Sequence, residues 1–146
     1  MAIKKLTPYL ALNGTANQAI ELYQKALGAE TLTVSRFADT PGMDAAPEHR
    51  ERVMHAVLRI GEAVIMISDT RPDEPAPVGG NVHIAVDFDD PTELIRRFDA
   101  LSAGGEITMP VQDTFWGAKF GMLTDAYGVQ WMLNCDLKNR VGDGTT

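Results

Sequence analysis

Cysteine is nearly absent from this chain, since Cys135 is the single one among 146 residues. An intramolecular disulfide is therefore excluded, which is consistent with a reducing compartment. The N-terminal residues contain no apolar stretch of signal-peptide length. The longest internal apolar run, Ala63 to Ile67, is far shorter than the about 20 residues that cross a bilayer. We expect a cytoplasmic protein with no membrane partner.

Positive charge is also scarce. The formal net charge is -7, and no run of Lys or Arg is longer than the pair Lys4-Lys5. Nucleic-acid binding usually needs a basic face that displaces counterions from phosphates, so we expect no nucleic-acid partner. The hydrophobic fraction of 45% and the charged fraction of 23% are those of an ordinary globular protein.

Familiar catalytic motifs are missing as well. Gly14 and Gly28 do not form a phosphate-cradling loop, and the sequence has no Gly-x-Ser-x-Gly elbow and no metal-type His/Cys cluster. It also lacks a glycine-rich motif of the kind that binds S-adenosylmethionine, and Cys135 has no obvious activating neighbour. We expect no cofactor, and no catalytic residue can be assigned.

A pattern of elements does occur twice. In each half a strand is followed by an amphipathic helix and then by three strands. The first half is predicted to contain Leu6–Leu12, the helix Ala16–Leu27, Thr31–Phe37, Val53–Ile60 and Ala63–Ser68; the second contains Asn81–Phe88, the helix Thr92–Leu101, Ile107–Gln112, Lys119–Thr124 and Val129–Cys135. The sequence thus predicts an α+β fold of two βαβββ modules.

The boundary between the halves is a stretch rich in proline and glycine, Thr70 to Gly80, which breaks regular structure. We predict one domain over residues 1–136, with module one at about 1–70, a linker at 70–80 and module two at about 81–136. A flexible tail is expected over 137–146.

Several segments resemble the vicinal-oxygen-chelate superfamily of glyoxalases, bleomycin-resistance proteins and extradiol dioxygenases, and within it a PhnB-like branch. These segments are Pro8-Tyr9-Leu10, Ala19 to Tyr23, Leu27-Gly28-Ala29, Met54-His55-Ala56, Ser68-Asp69, Trp116 to Gly121 and Asp125 to Trp131. The resemblance implies that the two modules form a glyoxalase/bleomycin-resistance-type cup. Because members of the group commonly pair, it also implies a homodimer.

The metal site of the superfamily is not matched by these residues. Metal enzymes of the group take one ligand from the first and one from the last strand of each module, which the resemblance places at Pro8, near Met66, at His83 and at Met132. Proline has no donor side chain, and thioethers are soft ligands suited to copper(I) rather than to nickel, zinc or iron(II). We therefore expect no metal at this position.

Alternation along the strands predicts which side chains line the cup. It turns His55 and His83 inward, and it places Trp131 on the opposite, apolar face as a core residue. Trp116 and Lys119 are expected to form an aromatic wall with a cation; the alternative is an edge that packs at an interface. The predicted ligand-binding residues are His55, Met66, Ser68, His83, Trp116, Lys119, Gln130, Met132 and Asn134.

Two functions stay open at this point. In the first, the protein binds a small polar or anionic molecule without a metal, like the drug-sequestering members of the group. In the second, it is an enzyme of lyase, isomerase or oxygenase type, with an atypical metal site or with His55 and His83 as acid and base. The proton-transfer version requires a carboxylate, Asp69 or Asp87, against a histidine.

Overall fold

The computed structural model describes residues 2–43 and 45–137. The chain divides into two compact units, Met1–Pro77 and Val78–Thr146. This division falls inside the linker that was predicted at 70–80. The tail predicted over 137–146 lies outside the described residues from 138 onward.

The first unit has the predicted βαβββ order. Its elements are β1 (Tyr9–Leu12), α1 (Ala16–Leu27), β2 (Glu30–Arg36), β3 (Val53–Ile60) and β4 (Ala63–Asp69). The strands form one sheet in the order β1-β4-β3-β2, in which β1 is parallel to β4 and the other neighbours are antiparallel. Gly61 has φ +59° in the tight β3–β4 turn, a conformation that glycine adopts without a steric penalty.

The second unit repeats this arrangement. Its elements are β5 (Ile84–Phe88), α2 (Pro91–Leu101), β6 (Glu106–Asp113), β7 (Ala118–Thr124) and β8 (Gln130–Asp136), and its sheet has the order β5-β8-β7-β6. The predicted α+β class and the two βαβββ modules are thus confirmed. The predicted strand over 81–88 is shorter, because the parallel ladder with β8 begins at Ile84 opposite Trp131.

Each helix covers one face of the sheet in its own unit. The large side chains Tyr23 of α1 and Phe98 of α2 are 0% and 2% exposed, so they contribute the apolar burial that stabilises each unit. Trp131 is 1% exposed, which confirms its predicted place in the core. No helix in the described part of the chain is long and apolar enough to span a membrane.

Candidate functional site

We call the side of each sheet that faces away from its helix the distal face. On β4, the buried Ile65 and Ile67 alternate with the half-buried Met66 and Ser68, which therefore lie on the distal face of the first sheet. His55 belongs to the same face, because Val57 is the register partner of Met66 and His55 precedes Val57 by two positions. The structure thus brings together three of the predicted residues, His55, Met66 and Ser68.

Tyr9 joins this group although it was not predicted. It is the register partner of Met66 across the parallel β1–β4 pair, and its ring lies 5.9 Å from the His55 ring, centroid to centroid, at an angle of 36°. Tyr9, and not its neighbour Pro8, therefore lies beside Met66 on this face. In the sequence, Tyr9 alternates with the apolar residues Leu10 and Leu12, and this pattern could have identified Tyr9. In the structure Leu10 is half-buried and Leu12 is buried.

The distal face of the second sheet gathers the predicted residues of β8. Gln130, Met132 and Asn134 are half-buried and alternate with the buried Trp131, Leu133 and Cys135. The Asn134 amide Nδ2 donates to Asp87 Oδ1 at 3.2 Å, and Gln130 Nε2 donates to the carbonyl oxygen of Gly79 at 2.8 Å.

Aromatic rings extend this face beyond the strands. Phe120 of β7 is the register partner of Asn134, and the Trp116 ring in the β6–β7 turn contacts Phe120 edge-on at 6.0 Å between centroids. Gly117 has φ +86° in this turn, a conformation that glycine adopts readily. Trp116 is 50% exposed, so the turn holds an indole ring at the end of the distal face with half of its surface free.

Lys119 does not join Trp116. It is the register partner of Cys135, which is 0% exposed on the helix-covered side, and its Nζ lies 2.7 Å from Asp113 Oδ1. The side chain that shares the face of Asn134 is that of the next residue, Phe120. This corrects the expected combination of an aromatic wall with a cation, because one step along a strand reverses the face.

His83 lies immediately before β5 and is half-buried. Neither His55 nor His83 has a carboxylate partner among the described residues of its own unit. Asp69 is 5% exposed on the helix-covered side of its sheet, where its carboxylate accepts from the amides of Gly14, Ala16 and Val53. Asp87 is bonded to Asn134. Among the described residues, neither unit contains the histidine–carboxylate pair that proton-transfer chemistry requires.

The residues at the expected metal positions do not fit a divalent ion. Met66 and Met132 offer thioethers, Pro8 has no donor side chain, and His83 supplies one imidazole. In residues 2–43 and 45–137, no three side chains of His, Cys, Asp or Glu are grouped so that they could hold a metal ion. Borderline and hard divalent ions prefer nitrogen and oxygen ligands over thioethers.

The chain is similar to known proteins over most of its length. The family model of the Glyoxalase/Bleomycin resistance protein/Dioxygenase superfamily matches residues 5–133. Protein YjdN of Escherichia coli (strain K12) is 38% identical over 138 residues, which cover 88% of this chain and 93% of that protein.

Solved structures give the same result. Protein PA1353 from Pseudomonas aeruginosa is 36% identical with a TM-score of 0.83, over 92% of this chain and 98% of that one. The PhnB protein from Bacillus cereus is 26% identical with a TM-score of 0.74, over 90% of this chain and 99% of that one.

Proposed function

The chain belongs to the Glyoxalase/Bleomycin resistance protein/Dioxygenase superfamily, and from that premise we propose that it binds a small organic molecule without the help of a divalent metal. The observation that carries this proposal is the edge-on contact of Trp116 with Phe120, at 6.0 Å between ring centroids, beside Asn134 on the distal face of the second sheet. Through Phe120, this face combines a half-exposed indole with an amide side chain, the apolar surface and the hydrogen-bonding group that small-molecule sites use.

The charges around both distal faces favour a neutral polar ligand over an anionic one. Lys119 is paired with Asp113 on the other side of its sheet, and Arg59 of β3 is paired with Glu30 of β2. The chain carries a net charge of -7, which repels anions at long range. An aromatic ring that carries a hydroxyl or amide substituent suits this surface, because Trp116 offers a stacking face and Asn134 offers a donor and an acceptor.

On the first sheet, His55, Met66 and Ser68 are proposed as contacts together with Tyr9. The Tyr9 and His55 rings combine apolar ring carbons with three polar atoms, the phenol oxygen and the two imidazole nitrogens. The Ser68 hydroxyl already donates to the Met54 carbonyl oxygen at 2.9 Å, so towards a ligand it would act as an acceptor. On the second sheet, taken by itself, His83, Gln130 and Met132 are proposed as contacts in addition to Trp116 and Asn134.

The fluorescence of Trp116 can be used to measure ligand binding. Trp131 is 1% exposed, so quenching by a ligand reports on Trp116. A set of neutral, hydroxyl- or amide-substituted aromatic compounds is titrated against the protein, and the matched carboxylates are titrated in parallel. We expect saturable quenching by a neutral compound, unchanged by EDTA. We also expect about a three- to tenfold loss of affinity in Asn134→Ala, the effect of one hydrogen bond.

Ile107→Ala is the matched control, because Ile107 is 46% exposed but pairs with Leu123, whose side chain lies on the helix-covered side. It should leave the affinity unchanged. The proposal fails if no compound quenches saturably, if EDTA removes the binding, or if Ile107→Ala weakens it as much as Asn134→Ala does.

We further propose that this chain is a PhnB-like protein and that it acts as a homodimer in the cytoplasm. The similarity to the PhnB protein from Bacillus cereus supports membership of the PhnB-like branch. The dimer is expected because members of this superfamily commonly pair. Light scattering coupled to gel filtration measures the mass directly, and one chain of 15.9 kDa at micromolar concentration would contradict the dimer.

A further inference from the structure

Three methionines form a continuous row across the second sheet. Met109 of β6 is the register partner of Met122 of β7, and Met122 is in turn the register partner of Met132 of β8. Because Met132 lies on the distal face, its two cross-strand partners lie there with it. The chain contains seven methionines in all, and three of them lie side by side in this one row.

These side chains are not needed to fill the core of the unit. The helix-covered side is already occupied by Leu123, Trp131 and Leu133, which are 1%, 1% and 0% exposed. Met109, Met122 and Met132 are all half-buried instead. Their thioethers therefore lie on the side of the sheet that a solute can approach.

The spacing lets the three sulfur atoms converge. Neighbouring strands lie about 4.8 Å apart, so the two outer Cα atoms of the row are about 10 Å apart. Methionine has three rotatable side-chain bonds and a polarisable sulfur, so Met109 and Met132 can both lean over Met122. A thioether donor set of this kind selects copper(I) and disfavours nickel, zinc and iron(II).

From this register we infer that Met109, Met122 and Met132 form a binding site for a soft monovalent cation, copper(I) or its redox-inert substitute silver(I). The site lies between a row containing Phe120 and Asn134 and a row containing Thr124 and Gln130. Phe120 occupies the neighbouring row of the same face, and an aromatic ring beside a cation adds a favourable electrostatic contact. The net charge of -7 attracts a cation, and the neutral thioethers impose no charge repulsion. The argument for this site does not use the organic ligand proposed above, although Met132 belongs to both sets of contacts.

The probe is silver(I) nitrate in chloride-free buffer, added to protein labelled at the methionine methyl carbons. Cys135→Ala is the background, because a thiol would compete for silver even though Cys135 is buried. We expect the methyl signals of Met109, Met122 and Met132 to shift together and to saturate at one ion per chain. The signals of Met54 and Met66 should stay in place.

Met122→Leu removes the central donor and should weaken silver binding by about tenfold or more. Met66→Leu on the first sheet is the matched control and should leave the affinity unchanged. If Met122→Leu does not fold, Met109→Leu on the edge strand β6 removes one donor instead.

Competition with a copper(I) chelator under ascorbate then measures the affinity for copper itself. The inference is overturned if no methyl signal saturates at one ion, if Met66 shifts at the same silver concentration as Met122, or if the loss of a donor leaves the affinity unchanged. None of these results affects the quenching of Trp116 by a neutral compound, so failure of this site and failure of the proposed function are distinguishable.

Discussion

Asp125 and Trp131 are joined by a buried hydrogen bond in which the indole Nε1 of Trp131 donates to Asp125 Oδ2 at 2.9 Å. The other carboxylate oxygen of Asp125 accepts from the amides of Tyr127 and Val129 at 2.9 Å and 3.0 Å. Asp125 is 3% exposed, so one buried carboxylate fixes the β7–β8 turn and orients the largest side chain of the core.

Asp125→Ala should therefore lower the free energy of unfolding by about 2–4 kcal/mol, because it leaves two amides and one indole donor unsatisfied. Urea denaturation followed by circular dichroism measures the change. Asp113→Ala removes an exposed partner of Lys119 and should cost less than about 1 kcal/mol. Equal losses in the two variants would show that the bonds of Asp125 add nothing to stability.

Asp69 caps a helix from a distant strand. Thr15 stands at the N-cap of α1 but makes no side-chain cap bond; instead Asp69 Oδ1 accepts from the amides of Gly14 and Ala16 at 2.9 Å and 3.0 Å. Asp69 Oδ2 accepts from the amide of Val53 at 2.9 Å. A single side chain thus connects the start of α1, the start of β3 and the end of β4.

Asp69→Ala should cost about 2–4 kcal/mol of unfolding free energy, since two buried amide donors and one partly buried donor lose their acceptor. Asp90→Ala is the matched control, because Asp90 is an exposed local cap that accepts only from Thr92 at 3.0 Å; it should cost about 0.5–2 kcal/mol. Denaturation of both variants under one set of conditions measures the difference. A larger loss for Asp90→Ala than for Asp69→Ala would contradict the role of Asp69 as a connecting cap.

The helices and the order of strands could be predicted because they depend on local patterns. Helix α1 spans Ala16–Leu27 as its apolar spacing indicates, and Gly28 ends it at φ +67°. Strand ends depend on partners that are distant in sequence, and they were predicted less well. The first strand begins at Tyr9 rather than at Leu6, and β5 begins at Ile84, where its partner Trp131 becomes available.

The side of the sheet on which a residue lies could be predicted only where alternation is regular. Met66 and Asn134 lie in regular strands and were placed correctly. Simple alternation would put Val53 on the face of His55, but Val53 is buried, because β3 carries one extra residue between the partners of Ser35 and Arg36. Trp116 lies in a turn, where the alternation of strand side chains does not apply. Its contact with Phe120 could therefore not be predicted from the sequence.

The pKa of Glu93 makes part of the folding stability depend on pH. The hydrogen bond from Arg96, whose guanidinium Nη2 lies 2.7 Å from the carboxylate, lowers the pKa of Glu93 below its ordinary value of 4.5; Arg97 acts in the same direction and burial opposes them. Because the pKa is lower in the folded state, the stabilisation is present above the unfolded-state pKa. It is lost as the pH falls through the folded-state pKa.

Arg96→Gln should therefore raise the pKa of Glu93 towards its ordinary value. The shift is measured by following the carboxyl carbon of Glu93 by NMR through an acid titration. Arg50→Gln, on an exposed turn of the first unit, should leave the titration midpoint where it is. An unchanged midpoint in Arg96→Gln would show that the ion pair does not form in solution.

Gly121 allows close packing between β7 and α2. A Cβ atom added there would lie 2.8 Å from Phe98 Cε2 and 2.9 Å from Val111 Cγ2. Gly121→Ala should therefore lower the unfolding free energy by about 1–3 kcal/mol through overpacking, and Phe98→Leu in the same chain should recover part of the loss. Gly79→Ala, whose new Cβ would meet its nearest atom at 3.9 Å, should change stability by less than about 0.5 kcal/mol. A double-mutant cycle with no coupling between positions 98 and 121 would contradict the packing explanation.

Divalent metals provide the last prediction, because the donors at the expected positions are thioethers and one imidazole. Untagged protein titrated with nickel, zinc, manganese and iron(II), with metal content measured by mass spectrometry, should bind none of them at one ion per chain. Stoichiometric zinc binding by the unaltered protein that is abolished by His83→Ala would instead show that His83 binds zinc together with donors other than the thioethers at the expected positions. A reaction that depends on a metal would then become the leading function.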